Sequence, residues 1–222
     1  MKIYEGKENL DIMSLAVNYN NTIFNWIIDN EDLKNKDILD FGSGKGEFCN
    51  RFDDSIHAVE IDMTMHVYLY CPSKNTIGNF DKKFDFIYSS NVLEHIENDM
   101  GTIEDFYNYL NPGGVVKILV PSRMELYSKM DEMVGHYRRY DRQDLVNKFI
   151  QAGFKVEYCR YFDFIGYFAT LIYKTVDNSG DISSDSLELY DKYIFPLSKF
   201  IDKVTFGSII GKNIILKAVK DV

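Results

Sequence analysis

The feature that most constrains the fold of this chain is a short apolar run that ends in three closely spaced glycines. Residues 37–41 read Asp-Ile-Leu-Asp-Phe, and Gly42-Ser-Gly-Lys-Gly46 follows directly. Such a run before a glycine turn is typical of a buried strand that enters a sharp turn. Glycine lets the backbone turn tightly and lets a ligand approach without a Cβ in between. We therefore expect the turn to line a binding site, and a helix after it to present amides to an anionic group.

The spacing of the glycines limits which ligand this turn can hold. A dinucleotide fingerprint, G-x-G-x-x-G, needs glycine at position 47, where Glu47 stands and would place negative charge near a pyrophosphate. A second acidic residue, Glu60, follows the next apolar run and lies twenty positions after Asp40. An acid at this distance is placed to accept hydrogen bonds from ribose hydroxyls. The alternative is that Glu60 and Asp62 are solvated charges at a strand end.

The rest of the chain alternates between strand and helix patterns, which predicts an α/β fold around a mostly parallel sheet. Further strand candidates are 55–61, 84–88, 114–120, 154–161 and 213–219. Helical patterns occupy much of the first 35 residues, the stretch from 103 to 110, and 143–152, with Asp141 as the expected N-cap. Ligands of such sheets bind at the carboxyl ends of the strands.

The spacing of the last strands predicts an insertion. About fifty residues separate the strands at 154–161 and 213–219, whereas connections in α/β units usually have 2–6 residues. They begin with an aromatic helix, Tyr161–Tyr173, and include a polar loop. We therefore predict one domain over residues 1–222. Its parts are a helical N-terminal segment (1–35), a ligand-binding core (36–160), a helical insertion or cap (161–211) and the last strand (212–222).

Four segments together resemble the class I S-adenosylmethionine-dependent methyltransferases. They are DILDFGSGKGEF, HAVEID, FDFIYSSNVLEHI and LNPGGVVKILVPS, in the order and spacing of that family over roughly residues 36–160. The run from Gly135 to Asp141 resembles a lid segment of its small-molecule branches. The resemblance implies a Rossmann-like, doubly wound, seven-stranded and mostly parallel sheet with helices on both faces. It also implies S-adenosylmethionine as the cofactor.

The resemblance assigns roles to individual positions. Asp40 should orient the turn and the methionine ammonium group, and Glu60 should hold the ribose hydroxyls. Asn79 and Phe80 stand where the family usually has an acidic residue that contacts adenine, so this sequence departs from the pattern there. The other positions assigned to the cofactor are Gly42, Ser43, Gly44, Gly46, Ile61, Ser90 and Asn91.

Methyl transfer from a sulfonium needs the acceptor atom held close and in line, and this positioning supplies much of the rate enhancement. His95 is the candidate general base for a hydroxyl acceptor, since it follows the fourth-strand motif and imidazole titrates near neutral pH. The alternative is that Glu94 and His95 cap or pack a short helix. The cluster His136-Tyr137-Arg138-Arg139 is the candidate substrate site.

The arginines of this cluster suit an acidic acceptor, because guanidinium pairs bidentately with carboxylate or phosphate. The alternative is a surface loop in which Arg138 and Arg139 pair with Asp141 and Asp144. We expect a small-molecule or carrier-linked acceptor, methylated at oxygen. An N-P-P-Y-type run that would favour a planar nitrogen is missing after the fourth strand.

Composition sets the remaining expectations. The 222 residues carry a net charge of −9, which argues against a nucleic-acid substrate. Three scattered cysteines argue against a disulfide framework and a zinc site, and we expect no metal. The aromatic run Tyr161–Tyr173 has only 13 residues, too few to cross a bilayer, and the first residues lack the apolar core of a signal peptide. A cytoplasmic protein without a transmembrane segment is the expectation.

Two alternative functions stay open at this stage. One is a nucleotide-dependent oxidoreductase on a Rossmann-like fold, against which Glu47 argues. The other is a non-enzymatic module that binds a partner through the insertion at 161–206. An apolar insertion surface would also suit a homodimer.

Overall fold

The computed structural model describes residues 7–52, 56–176 and 183–221. Its centre is a seven-stranded sheet with the order β3-β2-β1-β4-β5-β7-β6, in which β7 alone runs antiparallel to its neighbours. The strands are β1 (Ile38–Phe41), β2 (Ile56–Val59), β3 (Ser73–Lys74), β4 (Phe84–Ser90), β5 (Leu110–Pro121), β6 (Phe154–Phe162) and β7 (Asn213–Lys220). The predicted seven-stranded α/β fold is confirmed.

Helices cover both faces of the sheet and form two separate cores. The helices are α1 (Lys7–Ser14), α2 (Val17–Ile28), α3 (Asp99–Tyr109), α4 (Lys129–Met133), α5 (Arg142–Gln151), α6 (Phe164–Val176), α7 (Ser184–Leu189) and α8 (Phe195–Thr205). One face packs against α3 and α5 through residues such as Phe106 and Phe149. The other face packs against α2 and the start of α8 through Ile23, Ile27 and Phe195. All five of these side chains are 2% exposed or less.

The two ends of the sheet are connected differently. The prediction of a helix after the glycine turn is wrong, because that position holds only a three-residue 3-10 helix, Cys49–Arg51. The face of the sheet that such a helix would cover is occupied by α2, which comes from before β1. There the Phe24 ring meets the Phe52 ring edge-on at 5.4 Å, and Arg51 stacks over Phe24.

A buried lysine of β5 holds the end of α2. The Lys117 ammonium donates to the carbonyls of Trp26, Ile27 and Asp29 at 2.9–3.0 Å, and it lies 3.0 Å from a carboxylate oxygen of Glu31. Helix C-termini leave carbonyls without partners, and a cation there satisfies them. Lys117 is 1% exposed, so this contact fixes α2 to the middle of the sheet.

Several boundaries differ from the sequence analysis. The aromatic helix begins at Phe164, because Tyr161 and Phe162 pair with β7 and Asp163 turns the chain with a φ of 64°. Leu110 starts β5 instead of ending α3. Asp141 does stand at the N-cap of α5, but its side chain makes no capping hydrogen bond and lies 3.7 Å from Arg123.

The insertion between β6 and β7 consists of α6, α7, a π-helical turn and α8. Its outer surface exposes apolar side chains, with Ile172, Phe200 and Val204 each more than 60% accessible. None of the helices in the described ranges is both long enough and apolar enough to cross a membrane.

Candidate active site

The glycine turn lies at the carboxyl end of β1, at the place where the strand order reverses between β1 and β4. Both Gly42 and Ser43 donate their amides to the Val59 carbonyl, at 2.8 and 3.1 Å, and Gly46 donates to Ser43 at 2.9 Å. Gly42, Gly44 and Gly46 have φ angles of 84°, 53° and 84°. Only glycine adopts this left-handed region without strain, which explains the motif.

Two of the glycines also leave no room for a side chain. A Cβ on Gly42 would lie 2.2 Å from a methyl carbon of Val92, and one on Gly46 would lie 2.3 Å from the Asn50 amide nitrogen. Carbon atoms in contact are normally 3.5–4.0 Å apart. The turn is therefore packed directly against the segment that follows β4.

Glu60 closes over this turn from the end of β2. One carboxylate oxygen accepts a hydrogen bond from the Gly44 amide at 2.7 Å, and the other accepts from the Asp62 amide at 2.9 Å. Glu60 is only 8% exposed, so the alternative of a solvated strand-end charge does not hold for it. Each carboxylate oxygen keeps a second lone pair, which can accept a hydrogen bond from a hydroxyl.

Asp40 lies beneath the turn and is almost fully buried. Its Oδ2 atom has no hydrogen-bond partner among the described residues, and the same is true of the Ser43 hydroxyl. Burial disfavours the carboxylate and raises the pKa of Asp40 to about 7. A buried acid that titrates near neutral pH and has an unmet oxygen is suited to a cationic group of a ligand.

Three more of the positions assigned to the cofactor lie near the glycine turn. Ile61 is 70% exposed beside Glu60. At the end of β4, Ser90 is half-buried, and Asn91 has a φ of 54° and donates its amide to the Leu119 carbonyl at 2.9 Å. These three residues therefore lie around the same edge of the sheet as the glycine turn.

Phe80 packs into the core, and its assignment to adenine stays a prediction. Its ring packs edge-on against Phe84, the first residue of β4, and against His57, with centroid distances of 5.4 and 5.7 Å. Asn79 is exposed and donates to the Asn75 side chain. β3 ends at Lys74, so the chain leaves the sheet at residues 75–76, ahead of Asn79 and Phe80.

The turn that follows β4 carries Glu94 and His95 in a 3-10 helix, Leu93–His95. Burial, and then the neighbouring His136, lower the pKa of His95 to about 4, so its imidazole is neutral at neutral pH. Glu94 is fully buried, and neither carboxylate oxygen has a hydrogen-bond partner in the described chain. Its pKa is raised to about 8 by burial.

His136 meets this turn from the loop after α4. The two imidazole rings of His95 and His136 lie edge to face, with centroids 4.5 Å apart. The Tyr137 amide donates to the Glu94 carbonyl at 2.8 Å, which ties the two segments together. The structure thus brings the predicted base and the first residue of the predicted substrate cluster side by side.

Asp131 organises this loop, and the sequence analysis missed it. Its carboxylate lies 2.7 Å from His136 Nδ1 and accepts two hydrogen bonds from Arg139 at 2.9 and 3.0 Å. It also accepts the Ser128 amide in a capping box at the start of α4. Although burial opposes ionisation, His136 and Arg139 outweigh it and lower the pKa of Asp131 to about 2. The Ser-x-x-Asp pattern at 128–131 was the available sequence signal.

Arg138 pairs with a different carboxylate. It lies 2.9 Å from Asp99, which also receives hydrogen bonds from Tyr140 and Lys148 at 2.9 Å each. The partners proposed for the arginines as a surface loop, Asp141 and Asp144, are therefore wrong. Both guanidinium groups already have carboxylate partners, while Tyr137 beside them is 54% exposed.

A cavity of about 450 Å³ lies between α2, α8 and the sheet. Its apolar lining includes Trp26, Phe162 and Leu119, whose carbonyl accepts the Asn91 amide at the end of β4. Three cations, Arg160, Lys199 and Lys203, and two acidic residues, Asp29 and Asp202, also line it. The cavity therefore combines apolar surface with three positive and two negative side chains.

Comparison with known proteins is consistent with this geometry. Residues 21–158, more than half of the chain, match a family described as a methyltransferase domain. No curated protein sequence matches the chain significantly.

Solved structures share the fold at low sequence identity. An S-adenosylmethionine-dependent methyltransferase from Mesorhizobium loti has a TM-score of 0.60 at 13% identity, covering 90% of this chain and 96% of that chain. One from Thermotoga maritima has a TM-score of 0.63 at 13% identity, covering 96% and 95%. A phosphoethanolamine N-methyltransferase from Haemonchus contortus, in complex with S-adenosylmethionine, has a TM-score of 0.59 at 15% identity, covering 93% and 53%.

Proposed function

This chain belongs to the class I S-adenosylmethionine-dependent methyltransferases, and we propose that it methylates an oxygen atom of a small-molecule or carrier-linked acceptor. The family match sets aside the oxidoreductase alternative. The observation that carries the proposal is the pair of polar groups at the ends of β1 and β4. A glycine turn closed by Glu60 lies at one, and the buried Glu94 with the half-buried His95 and His136 lies at the other.

The residues around the glycine turn fit the cofactor. When bound, S-adenosylmethionine supplies a methyl group already activated by the sulfonium charge. Glu60 would accept hydrogen bonds from the ribose hydroxyls, and the unmet oxygen of Asp40 would lie beneath the turn to receive the methionine ammonium group. Ile61 would cover the adenine, and Ser90 and Asn91 would border the reactive end. Gly42, Ser43, Gly44 and Gly46 would line the cofactor through their backbone.

His95 is the proposed general base for the acceptor hydroxyl. Its lowered pKa keeps the imidazole neutral, which is the form that accepts a proton. Positioning supplies much of the rate enhancement of methyl transfer, and a general base raises the rate by a further factor of about 10²–10⁴. The phosphoethanolamine N-methyltransferase among the structural neighbours makes nitrogen the alternative target. A nitrogen acceptor that carries its own lone pair would depend less on His95.

The acceptor's remaining parts are proposed from the surroundings of the β4 edge. The apolar cavity, in which three cations outnumber two carboxylates, suits a carrier-linked acceptor that has an apolar portion and an anionic group. Tyr137 and Arg138 border the His95 turn and are the proposed substrate contacts on the other side. Arg139 is held by Asp131, so we propose that it positions His136 instead of binding the acceptor.

We further propose a cytoplasmic location, which the three free cysteines support, and an acceptor other than nucleic acid, which the net charge of −9 supports. A homodimer stays a prediction, with the exposed apolar side chains of α6 and α8 as its candidate interface. Sedimentation equilibrium would test it, and a monomer at all concentrations would exclude it.

Thermal unfolding in the presence of ligands tests the cofactor assignment. A ligand at 100 times its dissociation constant adds about 2.7 kcal/mol to stability, which raises the midpoint of a chain this size by roughly 5–10 °C. We expect this shift with S-adenosylmethionine and with S-adenosylhomocysteine, but not with NAD.

A screen with labelled methyl groups then tests the acceptor class. Oxygen acceptors with an apolar, anionic portion should be turned over, and His95→Gln should lower kcat for them by about 10²–10⁴-fold while leaving cofactor affinity unchanged. Turnover of amines alone, or an unchanged kcat in His95→Gln, would contradict the oxygen proposal.

A further inference from the structure

The cluster at the end of β4 has the composition of a divalent metal site. Glu94, His95 and His136 each present one ligand atom, and these three atoms lie within 4.8 Å of one another. The Glu94 carboxylate and the His136 Nε2 atom are 3.9 Å apart. In a tetrahedral zinc site with bonds of about 2.0–2.2 Å the ligand atoms lie about 3.3–3.6 Å apart, so this pair would close by about 0.5 Å and the widest pair by up to about 1.3 Å when the ion binds.

Glu94 supplies an independent observation that points to a ligand. It is 0% exposed, and neither of its oxygens has a hydrogen-bond partner in the described chain. A buried carboxylate without a partner is strongly destabilising, and proteins normally pair such a group or bind a metal with it. Arg139, the cation whose charge acts on Glu94, is already paired bidentately with Asp131. The unmet oxygens face the two imidazoles instead.

His136 is oriented in the way that metal-binding histidines usually are. Its Nδ1 lies 2.7 Å from the Asp131 carboxylate, which leaves Nε2 directed towards Glu94. Metal ligands of this type typically donate their other ring nitrogen to a carboxylate or a backbone carbonyl, which fixes the tautomer. The backbone is fixed as well, because the His136 amide donates to the Asp131 carbonyl at 2.8 Å and the Tyr127 hydroxyl donates to the His136 carbonyl at 2.7 Å.

We infer that Glu94, His95 and His136 bind a divalent transition-metal ion of the zinc type, with Asp131 as the residue that positions His136. Two imidazoles and one carboxylate suit zinc better than magnesium or calcium, which prefer oxygen ligands alone. Three protein ligands leave a fourth position open, as in catalytic zinc sites. A metal was not expected from the sequence, because Glu94 and His95 are separated from His136 by about forty residues.

This inference deepens the proposed function and changes one role in it. His95 would hold the ion instead of taking the proton itself, and the open position would take an oxygen of the acceptor. A hydroxyl bound to a divalent ion loses its proton to solvent more readily, since the ion stabilises the resulting oxyanion.

Metal titration of the purified, chelator-treated full chain tests the inference directly. Zn²⁺ binding is measured by calorimetry, and Co²⁺ binding by its visible absorption. We expect one ion per chain, with affinity lowered at least 100-fold by Glu94→Gln and by His136→Gln. Asp131→Asn should lower it by about 10–100-fold. His66→Gln is the matched control, since it removes an imidazole outside the cluster and should leave the stoichiometry unchanged.

Circular dichroism on every variant separates ligand loss from unfolding, and the Gln replacements keep the shape of the original side chains. Failure to bind either ion, or binding that survives both Glu94→Gln and His136→Gln, would overturn the inference. S-adenosylhomocysteine binding is measured on the same samples. Cofactor binding without metal binding refutes only the metal site, and metal binding without cofactor binding refutes only the proposed function.

Discussion

In the two halves of the candidate active-site edge, the pKa values of buried carboxyl groups are shifted in opposite directions. In the half formed by β1 and β2, Asp40 is buried without a charged partner, and its pKa is raised to about 7. In the half formed by β4 and the residue 129–140 segment, Asp99 and Asp131 are also buried, yet hydrogen bonds from Arg, Lys, His and Tyr side chains outweigh burial and lower both pKa values. Glu94 is the exception in the second half, with a pKa raised to about 8.

This contrast indicates what each half requires from a ligand. The first half consists of a backbone turn and one carboxyl group with an unpaired oxygen. A ligand that brings polar groups and positive charge therefore stabilises it most. The second half already contains its own ion pairs, except at Glu94. Carboxyl oxygens without hydrogen-bond partners thus mark the two places, Asp40 and Glu94, at which we expect a cation to bind.

Asp40→Asn should change the free energy of unfolding, and its dependence on pH, more than any other variant below. The folded-state pKa of about 7 lies above the ordinary value of 3.8, so burial of the neutral acid favours folding below about pH 4 and this contribution is lost as the pH rises through 7. Each pKa unit corresponds to about 1.4 kcal/mol. Relative to Asp40→Asn, the cofactor-free wild type should therefore lose about 4 kcal/mol between pH 4 and pH 8. Urea denaturation across this range measures it, and parallel curves would show that Asp40 is not held neutral.

Lys117→Met should have the next largest effect, because it releases the helix that covers the first half. Met keeps the packing but leaves Glu31 and the three carbonyls at the end of α2 without the ammonium group. We expect a loss of about 3 kcal/mol in the free energy of unfolding. Lys217→Met is the control, since Lys217 also pairs with Glu31 but is more exposed, and it should cost less than about 1 kcal/mol. Equal effects of the two would contradict the anchoring role of Lys117.

Gly42→Ala should weaken cofactor binding by about 100-fold, equivalent to about 2.7 kcal/mol. The added Cβ would lie 2.2 Å from Val92 and would have to displace the turn. Gly135→Ala is the control that separates the effect of backbone strain from the effect of the contact between the added Cβ and Val92. Gly135 has a similar φ of 80° but nothing within 4 Å of its Cβ, so only the strain of about 1–2 kcal/mol in stability is expected, without loss of cofactor affinity. Calorimetry with S-adenosylhomocysteine compares the two.

Arg138→Ala should have the smallest effect on stability, under about 1 kcal/mol. Asp99 keeps its hydrogen bonds from Lys148 and Tyr140, and Arg138 is partly exposed. A loss above 2 kcal/mol would show that the second half depends on each member of its network. If Arg138 contacts an anionic acceptor, KM for that acceptor should rise in this variant while the stability stays nearly constant.

The sequence predicted the first half far better than the second. Asp40 and the three glycines lie on one short stretch whose left-handed backbone requires glycine, and Glu60 follows the next apolar run, so these positions could be read directly from the sequence. The second half is assembled from residues 94–99, 128–140 and 148, and the sequence does not reveal which carboxylate each arginine selects. Asp131 and Asp99 were missed for that reason.

Local errors have similar causes. The helix expected after the glycine turn is absent because α2, which is remote in sequence, fills its place. The two-residue strand β3 was missed because it carries no apolar pattern, so the point where the chain leaves this edge of the sheet could not be located. The helical insertion was predicted from connection length alone, although its first helix begins three residues later than expected.

Amide hydrogen exchange with and without S-adenosylhomocysteine tests most directly whether the two halves have the proposed roles. Our account predicts strong added protection at residues 42–46 and 60–62, with weaker protection at 90–91. The already hydrogen-bonded segment 129–139 should change little. Absence of protection at 42–46, or equal protection at 129–139, would contradict the assignment of the cofactor to the first half.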